Sequence, residues 1–457
     1  MPAAVVLDPA SASFTALGQT RQLGATVTDQ DGNPIASPSL SWASNDTTVA
    51  TVSASGLVTA SGGGSAEITA TAGAASAFAA VSVVQLPTQL EKVSGDGQTG
   101  TPGQSLPLPL TVQVDDASGS PVAGATVEFA AEPASGTVLA ASATTGADGR
   151  ASTGFTPVAL GPQQITATVA NTPLAASFTA TGVSAFAIEL RFLTPPTQTQ
   201  RDAFLAAQQR WQSLVVGDLA DVRLDAGAGT CGDDSPAIQR TVDDVVILVT
   251  LEAIDGPGGI LGSAGPCYAR DPEFQTVLGL MRFDTADMDV LETAGVLQAV
   301  ILHEMAHVLG YGTLWPNRGL LADASLSGGT DPHFIGTDAT TEFNAAGGAT
   351  YAGGLKVPVE NTGGAGTADS HWRESVFGSE LMTGFVNPGI NPLSRVSVAA
   401  LADEGYVVNL AGADSYTLVP SLLAFDRGPA FELQGDVLPL PLHVVGPGGE
   451  LMRVMSR

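Results

Sequence analysis

The stretch from His303 to His307, with the letters HEMAH, constrains this chain more than any other part of its sequence. It follows an apolar run at 294–302 whose large side chains recur at helical spacing. Two histidines four residues apart on a helix lie one turn from each other, so both imidazoles reach a single ion. Neutral imidazoles suit zinc, and the carboxylate of Glu304 beside them is placed to take a proton from water. The stretch therefore predicts a zinc-binding helix that ends at Gly310, since glycine readily adopts the left-handed conformation.

A pattern this short also arises by chance, and its histidines would then be ordinary surface residues. A catalytic zinc site needs three protein ligands and one open position, so a third ligand has to come from elsewhere in the chain. The chain has five histidines, and outside the predicted helix these are His333, His371 and His443. The identity of the third ligand therefore decides between the two interpretations.

The length of the chain indicates how many domains it has, and its net charge limits which partners it can bind. At 457 residues the chain is too long for a single core, and its length predicts about three domains. Apolar residues make up 44% of the sequence, so cores of sufficient size are available. The 45 acidic residues outnumber the 17 lysines and arginines, which gives a net charge of -28. This balance argues against nucleic acid and anionic membrane surfaces as partners, because a phosphate binder needs a basic face.

The two cysteines bear on the cellular compartment. In an exported protein Cys231 and Cys267 are most simply a disulfide, whereas in a reducing cytosol they would be free thiols. We expect the disulfide; zinc binding is not expected because the chain contains no CxxC spacing. No segment reaches the roughly 18 apolar residues of a membrane helix. Residues 1–7 lack the basic flank and apolar length of a signal peptide, so we expect a leader to be absent from this chain.

Residues 1–85 are predicted to form a β-sandwich. Short alternating runs are separated by turn signals at 31–34 and 61–64, and Trp42 is expected in the core. The runs from 40 to 70 resemble bacterial immunoglobulin-like domains of the group 2 type. The matching residues are structural, so this resemblance implies a fold and no chemistry.

Residues 86–182 repeat the theme after a Gly/Ser/Thr-rich linker near 94–104. The runs at 110–116, 121–129 and 144–151 resemble the immunoglobulin-like repeats of invasin-type surface proteins. Such repeats serve as stalks or adhesive modules, which implies a host or cell-surface ligand as a further partner. Three aspartates in this region, Asp115, Asp116 and Asp148, are either calcium ligands or solvated turn residues, and the second interpretation is favoured.

From residue 183 onward the pattern changes to alternating strands and helices. Strands are predicted at 186–192, 245–251 and 278–284, and an amphipathic helix at 200–216. Together with the helix that carries the histidines, this order predicts an α+β domain whose sheet supports the metal-bearing helix.

The third ligand is suggested by a family resemblance. In the extended pattern HExxHxxGxxH the last histidine would fall at position 313, where this chain has a threonine. The residues His371 to Glu374, followed by Glu380 to Gly384, resemble the third-ligand and Met-turn segments of leishmanolysin-type metzincins. In that family a long insertion, here 311–370, separates the helix from the third histidine. The resemblance implies that His371 is the third ligand and Met382 the Met-turn methionine.

Other candidates stay open at this point. His333 is the rival third ligand, and Met382 on its own would be an ordinary core methionine. His443 lies in a C-terminal β-like tail, 416–457, and is expected at the surface. The resemblance covers about 185–410, so the catalytic domain is assigned to 183–415.

The predicted architecture is two all-β immunoglobulin-like sandwiches followed by an α+β metzincin-type zinc peptidase domain. The resemblance implies a bacterial, secreted or cell-surface endopeptidase acting on extracellular proteins or peptides. His303, His307 and His371 would hold Zn²⁺, with Glu304 as general base. By analogy, an edge strand at 278–283 would pair with extended substrate. The alternative is a surface adhesin or binding protein whose peptidase-like domain is inactive.

Overall fold

The computed structural model describes residues 1–133, 135–351, 353–418 and 430–456. The chain divides into two compact units. The first comprises 1–99, 105–157 and 162–181, and the second comprises 100–104, 158–161 and 182–457. Across the described ranges, no helix has both the length and the apolar character needed to cross a membrane.

The first unit contains two separate apolar cores. One draws on residues between Val5 and Val83 and the other on residues between Leu106 and Ala180. Along strands such as Gly64–Ala72, buried and exposed residues alternate, because successive side chains of a strand point to opposite faces. The prediction of two all-β immunoglobulin-like sandwiches is confirmed. Trp42 is half-buried and packs against the first core from its side.

The strands of this unit are short and follow each other closely. Around the first core they are Ala4–Asp8, Ser11–Phe14, Thr20–Gln22, Gly24–Thr28, Ser41–Ser44, Ala50–Val52, Leu57–Ala60, Gly64–Ala72 and Ala75–Val83. Around the second core they are Gln89–Ser94, Gln98–Gly100, Leu110–Asp115, Thr126–Ala131, Gly136–Val138, Ser142–Thr144, Arg150–Thr153, Phe155–Pro157, Gly161–Val169 and Ala175–Gly182.

The three aspartates considered for calcium do not form a cluster of ligand atoms among the described residues. The carboxylate of Asp116 is buried and accepts hydrogen bonds from the backbone N–H groups of Leu17 and Ser118, at 2.8 and 2.9 Å. Asp148 accepts a hydrogen bond from the N–H of Arg150 at 3.2 Å. Asp116 and Asp148 therefore satisfy backbone donors of turns and nearby loops.

The second unit is built on a six-stranded mixed sheet. Its strands are β1 (Ile188–Phe192), β2 (Val245–Glu252), β3 (Gly262–Arg270), β4 (Thr276–Asp284), β5 (Leu442–Val445) and β6 (Leu451–Met455). Their order is β1-β2-β4-β3-β5-β6. The pairs β1–β2, β2–β4 and β3–β5 are parallel, whereas β4–β3 and β5–β6 are antiparallel. The predicted strands at 186–192, 245–251 and 278–284 correspond to β1, β2 and β4.

Helices pack around this sheet. They are α1 (Gln198–Leu214), α2 (Met288–Ala294), α3 (Leu297–Leu309), α4 (Trp315–Arg318), α5 (Thr337–Ala345), α6 (Glu374–Phe377) and α7 (Arg395–Asp403). Helix α1 begins with a capping box, in which the side chain of Thr197 accepts from the N–H of Gln200 and the reverse bond is also made. Helix α3 is buried from Val300 to Leu309 on all sides, as its apolar composition requires. At Gly279 of β4 a Cβ would overlap the side chain of Val308, so glycine lets α3 lie directly on the sheet.

The insertion at 311–370 is folded. It contains α4, α5 and a small sheet of Leu321–Ala322, His333–Phe334 and Val357–Pro358. Helix α5 is fixed to α7 because the carboxylate of Asp403 accepts hydrogen bonds from the backbone N–H groups of Asp338 and Ala339, at 3.0 and 2.9 Å. Aromatic residues from the insertion, Trp315 and Phe334 among them, belong to the main core of the unit.

One predicted feature of the sheet is wrong. Strand β4, which contains 278–283, is not an edge strand, because β2 and β3 pair with its two sides. The sequence of β3 contains Gly262, Gly265 and Pro266, residues of low β-propensity, so its pattern did not indicate a strand. The described part of the predicted tail also has a place in this sheet, since β5 and β6 extend it beyond β3.

Cys231 and Cys267 form a disulfide, which confirms their predicted pairing. Both are buried, and no free cysteine remains in the chain. We expect that protein produced in an oxidising compartment contains no alkylatable thiol until it is reduced, because the bridge lies inside the fold. Mass spectrometry after alkylation, with and without reductant, measures this. Two modified cysteines in unreduced native protein would contradict the bridge.

Candidate metal centre

Helix α3 is held at its C-terminal end by hydrogen bonds to its last carbonyls. The hydroxyl of Thr276 donates to the carbonyl of Val308 at 2.6 Å, and that of Tyr406 donates to the carbonyl of Leu309 at 2.7 Å. Such carbonyls have no partner within a helix, so side chains from the sheet and the segment after α7 satisfy them. The next residue, Gly310, has a φ of 125°, which ends the helix as predicted.

The three predicted histidine ligands converge on one point. The Nε2 atoms of His303, His307 and His371 lie 3.0, 3.0 and 3.1 Å from one another, and all three side chains are fully buried. His303 and His307 come from successive turns of α3, and His371 comes from the segment that follows the insertion. The structure therefore brings His371 to two residues that lie 64 and 68 positions before it in the sequence.

Each ring is oriented by a backbone carbonyl. The Nδ1 atoms of His303, His307 and His371 lie 2.8 Å from the carbonyl oxygens of Leu381, Tyr311 and Thr367, respectively. A carbonyl only accepts, so each Nδ1 carries the proton and each Nε2 presents a lone pair. Three lone pairs cannot hydrogen-bond one another at this distance.

A fourth donor atom completes the cluster. Asp436 Oδ2 lies 2.9, 3.2 and 3.6 Å from the Nε2 atoms of His371, His303 and His307. These four atoms form a tetrahedron whose edges are close to the roughly 3.3 Å expected between donors that are 2.0–2.1 Å from one zinc ion. Asp436 is fully buried and belongs to the predicted tail; it is the site residue that the sequence did not reveal. Neither its spacing from the HExxH pattern nor its neighbours distinguish it among 45 acidic residues.

The donor set fits a divalent cation such as zinc. Burial lowers the pKa of His303 to about 4, so that ring is neutral at pH 7, which is the ligand form. Burial would by itself raise the pKa of Asp436, but the neighbouring His371 and the contacts with the three rings outweigh it and hold that pKa well below its ordinary value. Converging imidazole lone pairs and one carboxylate are what a cation requires, and His303, His307, His371 and Asp436 would hold it.

Glu304 lies beside the cluster without taking part in it. Its side chain is buried, and neither carboxylate oxygen has a hydrogen-bond partner among the described residues. Burial, and secondly the charge of Asp436, raise its pKa well above the ordinary value. An unpaired buried carboxyl group is costly, so a group of this kind is typical of a functional position.

The segment around Met382 contacts one of the histidines through its backbone. Its neighbour Leu381 provides the carbonyl that orients His303, and the side chain of Met382 is buried in the main core. The carboxylate of Glu380 accepts hydrogen bonds from the N–H of Met382 at 2.6 Å and from the hydroxyl of Ser394 at 2.7 Å. Glu380 therefore fixes this turn to the start of α7.

The two remaining histidines lie outside the cluster. His333 is in the small sheet of the insertion, where its Nδ1 donates to the carbonyl of Asp331 at 2.6 Å. His443 lies in β5, is half-buried and stacks on the ring of Tyr268 with centroids 4.7 Å apart. Neither is among the residues whose donor atoms meet at the metal centre.

Comparison with known protein families supports this architecture. Residues 3–83 match the bacterial Ig-like domain (group 2), residues 107–183 match the bacterial Ig-like domain (group 1), and residues 234–418 match leishmanolysin. A search of curated protein sequences gave no match.

Solved structures similar to part of the chain include surface proteins. Domains 4 and 5 of the S-layer protein SbsC are 20% identical; the similarity covers 36% of this chain and 82% of that one, with a TM-score of 0.21. The Yersinia pseudotuberculosis adhesin InvE is 18% identical over 39% of this chain and 58% of its own, with a TM-score of 0.25. The Escherichia coli adhesin FdeC is 21% identical over 39% and 64%, also with a TM-score of 0.25. Scores this low support no conclusion about function.

The fold and the family matches together indicate a multidomain chain in which two immunoglobulin-like sandwiches precede a mixed α/β domain that matches leishmanolysin. More particularly, the matches to a group 2 bacterial Ig-like domain, a group 1 bacterial Ig-like domain and leishmanolysin follow each other in that order along the chain.

Proposed function

We propose that the second unit is a zinc-dependent endopeptidase that hydrolyses peptide bonds of extracellular proteins. The observation that carries this proposal is the convergence of three buried Nε2 lone pairs, 3.0–3.1 Å apart, beside a buried carboxyl group that has no other partner. The match to leishmanolysin over 234–418 supports the same class of reaction.

In this proposal His303, His307 and His371 hold zinc. Zinc bound there supplies a Lewis acid that polarises the scissile carbonyl and makes a water molecule more acidic. Glu304 takes the proton of the attacking water and passes it to the leaving amine, which is general base and then general acid catalysis. The carbonyls of Leu381, Tyr311 and Thr367 keep the three rings in the tautomer that binds metal.

The proposed location is outside the cytoplasm, at the cell surface or in the medium. The buried disulfide between Cys231 and Cys267 is typical of proteins made in an oxidising compartment. The two Ig-like domains are consistent with a role in placing the peptidase or in binding a surface ligand.

The second candidate is a surface binding protein with an inactive peptidase domain. The two Ig-like domains favour it, but an inactive domain is expected to lose the base or a ligand, and Glu304 and the three histidines are all present. Binding without hydrolysis would identify this alternative.

The test is cleavage of casein by zinc-loaded protein with and without the chelator 1,10-phenanthroline. Because Asp436 occupies the cluster, the assay uses both the native chain and Asp436→Ala. We expect Asp436→Ala to cleave casein, the chelator to abolish this cleavage and added zinc to restore it, since the reaction depends on a bound cation. Absence of cleavage by both proteins, with zinc bound at one equivalent, would contradict the proposal.

A further inference from the structure

The metal centre as folded leaves no position for a substrate. A catalytic zinc site keeps one coordination position open, whereas a site with four protein ligands is closed. Here Asp436 Oδ2 lies 2.9 Å from Nε2 of His371 and would take the fourth position. The side chains of all four donors and of Glu304 are fully buried, so neither water nor peptide reaches them in this arrangement.

The segment that carries Asp436 crosses the metal centre between β3 and the strand Phe385–Val386, with a bend at Gly435, whose φ is 60°. On one side the N–H of Ala264 in β3 donates to the carbonyl of Asp436 at 2.6 Å, and the N–H of Leu438 donates to the carbonyl of Ala264 at 2.9 Å. On the other side the N–H of Leu433 donates to the carbonyl of Gly384 at 2.9 Å. Phe431–Glu432 also pairs with Phe385–Val386. Backbone pairing along a strand edge is how extended peptides bind to sheets.

This segment occupies the strand edge nearest the metal. Strand β3 pairs with β4 on one side, and on its other side it pairs with Val437 and with residues 443–445 of the same chain. The predicted substrate-binding edge at 278–283 is internal, because β4 is paired on both sides. A peptide could instead pair with the side of β3 that faces away from β4. In the folded chain, that side is occupied by the chain's own later residues.

The unpaired, buried carboxyl group of Glu304 indicates that this closed arrangement is temporary. In a purely structural four-ligand site a buried carboxyl group without a partner would be a cost with no compensation. The cost is explained if Asp436 leaves and a water molecule enters beside Glu304. The leishmanolysin match ends at 418, so the segment that closes the site lies outside the part of the chain that the family describes.

The segment is held by few contacts of regular secondary structure. Between the paired residues Phe431–Glu432 and strand β5, its pairing with the six-stranded sheet among the described residues is an isolated bridge of Ala264 with Val437. The side chains of Leu433 and Leu438 pack into the neighbouring cores. Beyond the segment, β5 and β6 are anchored through a small core that includes Leu442 and Val444. Displacement of residues 430–438 therefore breaks the contacts of Leu433 and Leu438 but leaves the pairing of β5 and β6 intact.

From these observations we propose that residues 430–438 form an internal inhibitory segment, in which Asp436 fills the open position of the metal and the backbone occupies the substrate edge of β3. The inference rests on the proposed peptidase function and adds that the chain as folded is latent. Activation requires displacement or proteolytic removal of this segment.

The test measures access to the metal without relying on catalysis. Glu304→Gln protein is loaded with Co²⁺, and acetohydroxamate, a small bidentate metal ligand, is titrated while the visible spectrum of the cobalt is recorded. The same titration is made with Glu304→Gln/Asp436→Ala and, as a matched control, Glu304→Gln/Glu432→Ala, which removes an exposed carboxylate of the same segment. If the closed state holds about 99% of the molecules, removing Asp436 tightens acetohydroxamate binding about 100-fold.

We expect this shift for Asp436→Ala and no change for Glu432→Ala. Equal affinity in all three proteins, or loss of cobalt from a folded Asp436→Ala protein, would overturn the inference, the second result because Asp436 would then be a permanent ligand. If Asp436→Ala does not fold, Asp436→Asn keeps the volume and weakens the ligand; failure of both to fold also contradicts a segment that can leave. Opened protein that binds acetohydroxamate but, with Glu304 intact, cleaves no casein would refute the peptidase function and leave the inference standing.

Discussion

Glu304→Gln, made in the opened Asp436→Ala protein, is expected to retain zinc and to lose peptidase activity by roughly three orders of magnitude. The amide has the shape of the carboxyl group but cannot accept the proton of the attacking water, and general bases contribute about 10² to 10⁴ to rates. Neither oxygen of Glu304 contacts a described partner, so the exchange breaks no hydrogen bond of the fold. The measurement is kcat/KM on a fluorogenic peptide, with zinc content determined in parallel.

The matched control is Glu404→Gln. Glu404 is also a fully buried glutamate, and its Oε1 accepts a hydrogen bond from the indole N–H of Trp315 at 2.9 Å. Burial raises its pKa to about 8, so it is already mostly neutral at pH 7 and the amide changes little. Activity within a few-fold of the parent is expected. Full activity of the zinc-loaded Glu304 variant would refute the proposed base.

The residues that local patterns specify were predicted best. The pair His303 and His307 needs only a helix, and the helix is specified by its apolar run and by Gly310. His371 could not be derived from spacing, because a folded insertion separates it from α3, and it was reached only through the resemblance that includes Met382. In the structure, the Nε2 atom of His371 lies 3.0 Å from the Nε2 atom of His307.

The features that depend on pairing between distant parts of the chain, strand β3 and the position of Asp436, were not predictable from the sequence. Strand β3 has glycine and proline where a buried strand usually has β-branched residues, so its place beside β4 follows from tertiary pairing alone. Asp436 reaches the histidine cluster because its backbone and that of Val437 pair with Ala264 of β3, a relation that no periodicity encodes. An acidic residue in a strongly acidic chain carries no signal of its own.

The closed cleft changes how the third ligand has to be tested. In the native chain, removal of His371 leaves two imidazoles and the carboxylate of Asp436, a set that still binds divalent cations. In the Asp436→Ala protein the same change leaves only the two imidazoles of α3. Zinc should therefore be lost far more completely from His371→Ala/Asp436→Ala than from His371→Ala alone.

His333→Ala, placed in the same Asp436→Ala protein, is the matched control. His333 belongs to the small sheet of the insertion and shares no donor atom with the cluster, so stoichiometric zinc is expected. Elemental analysis after dialysis measures zinc in Asp436→Ala, His371→Ala, His371→Ala/Asp436→Ala and His333→Ala/Asp436→Ala. Circular dichroism shows that each protein is folded. Full occupancy in His371→Ala/Asp436→Ala would remove His371 from the ligand set. Loss of zinc from folded His333→Ala/Asp436→Ala would instead make His333 the ligand. Either result would require a different cleft from the one in which Nδ1 of His371 donates to the carbonyl of Thr367 and Nε2 faces the other donors of the cluster.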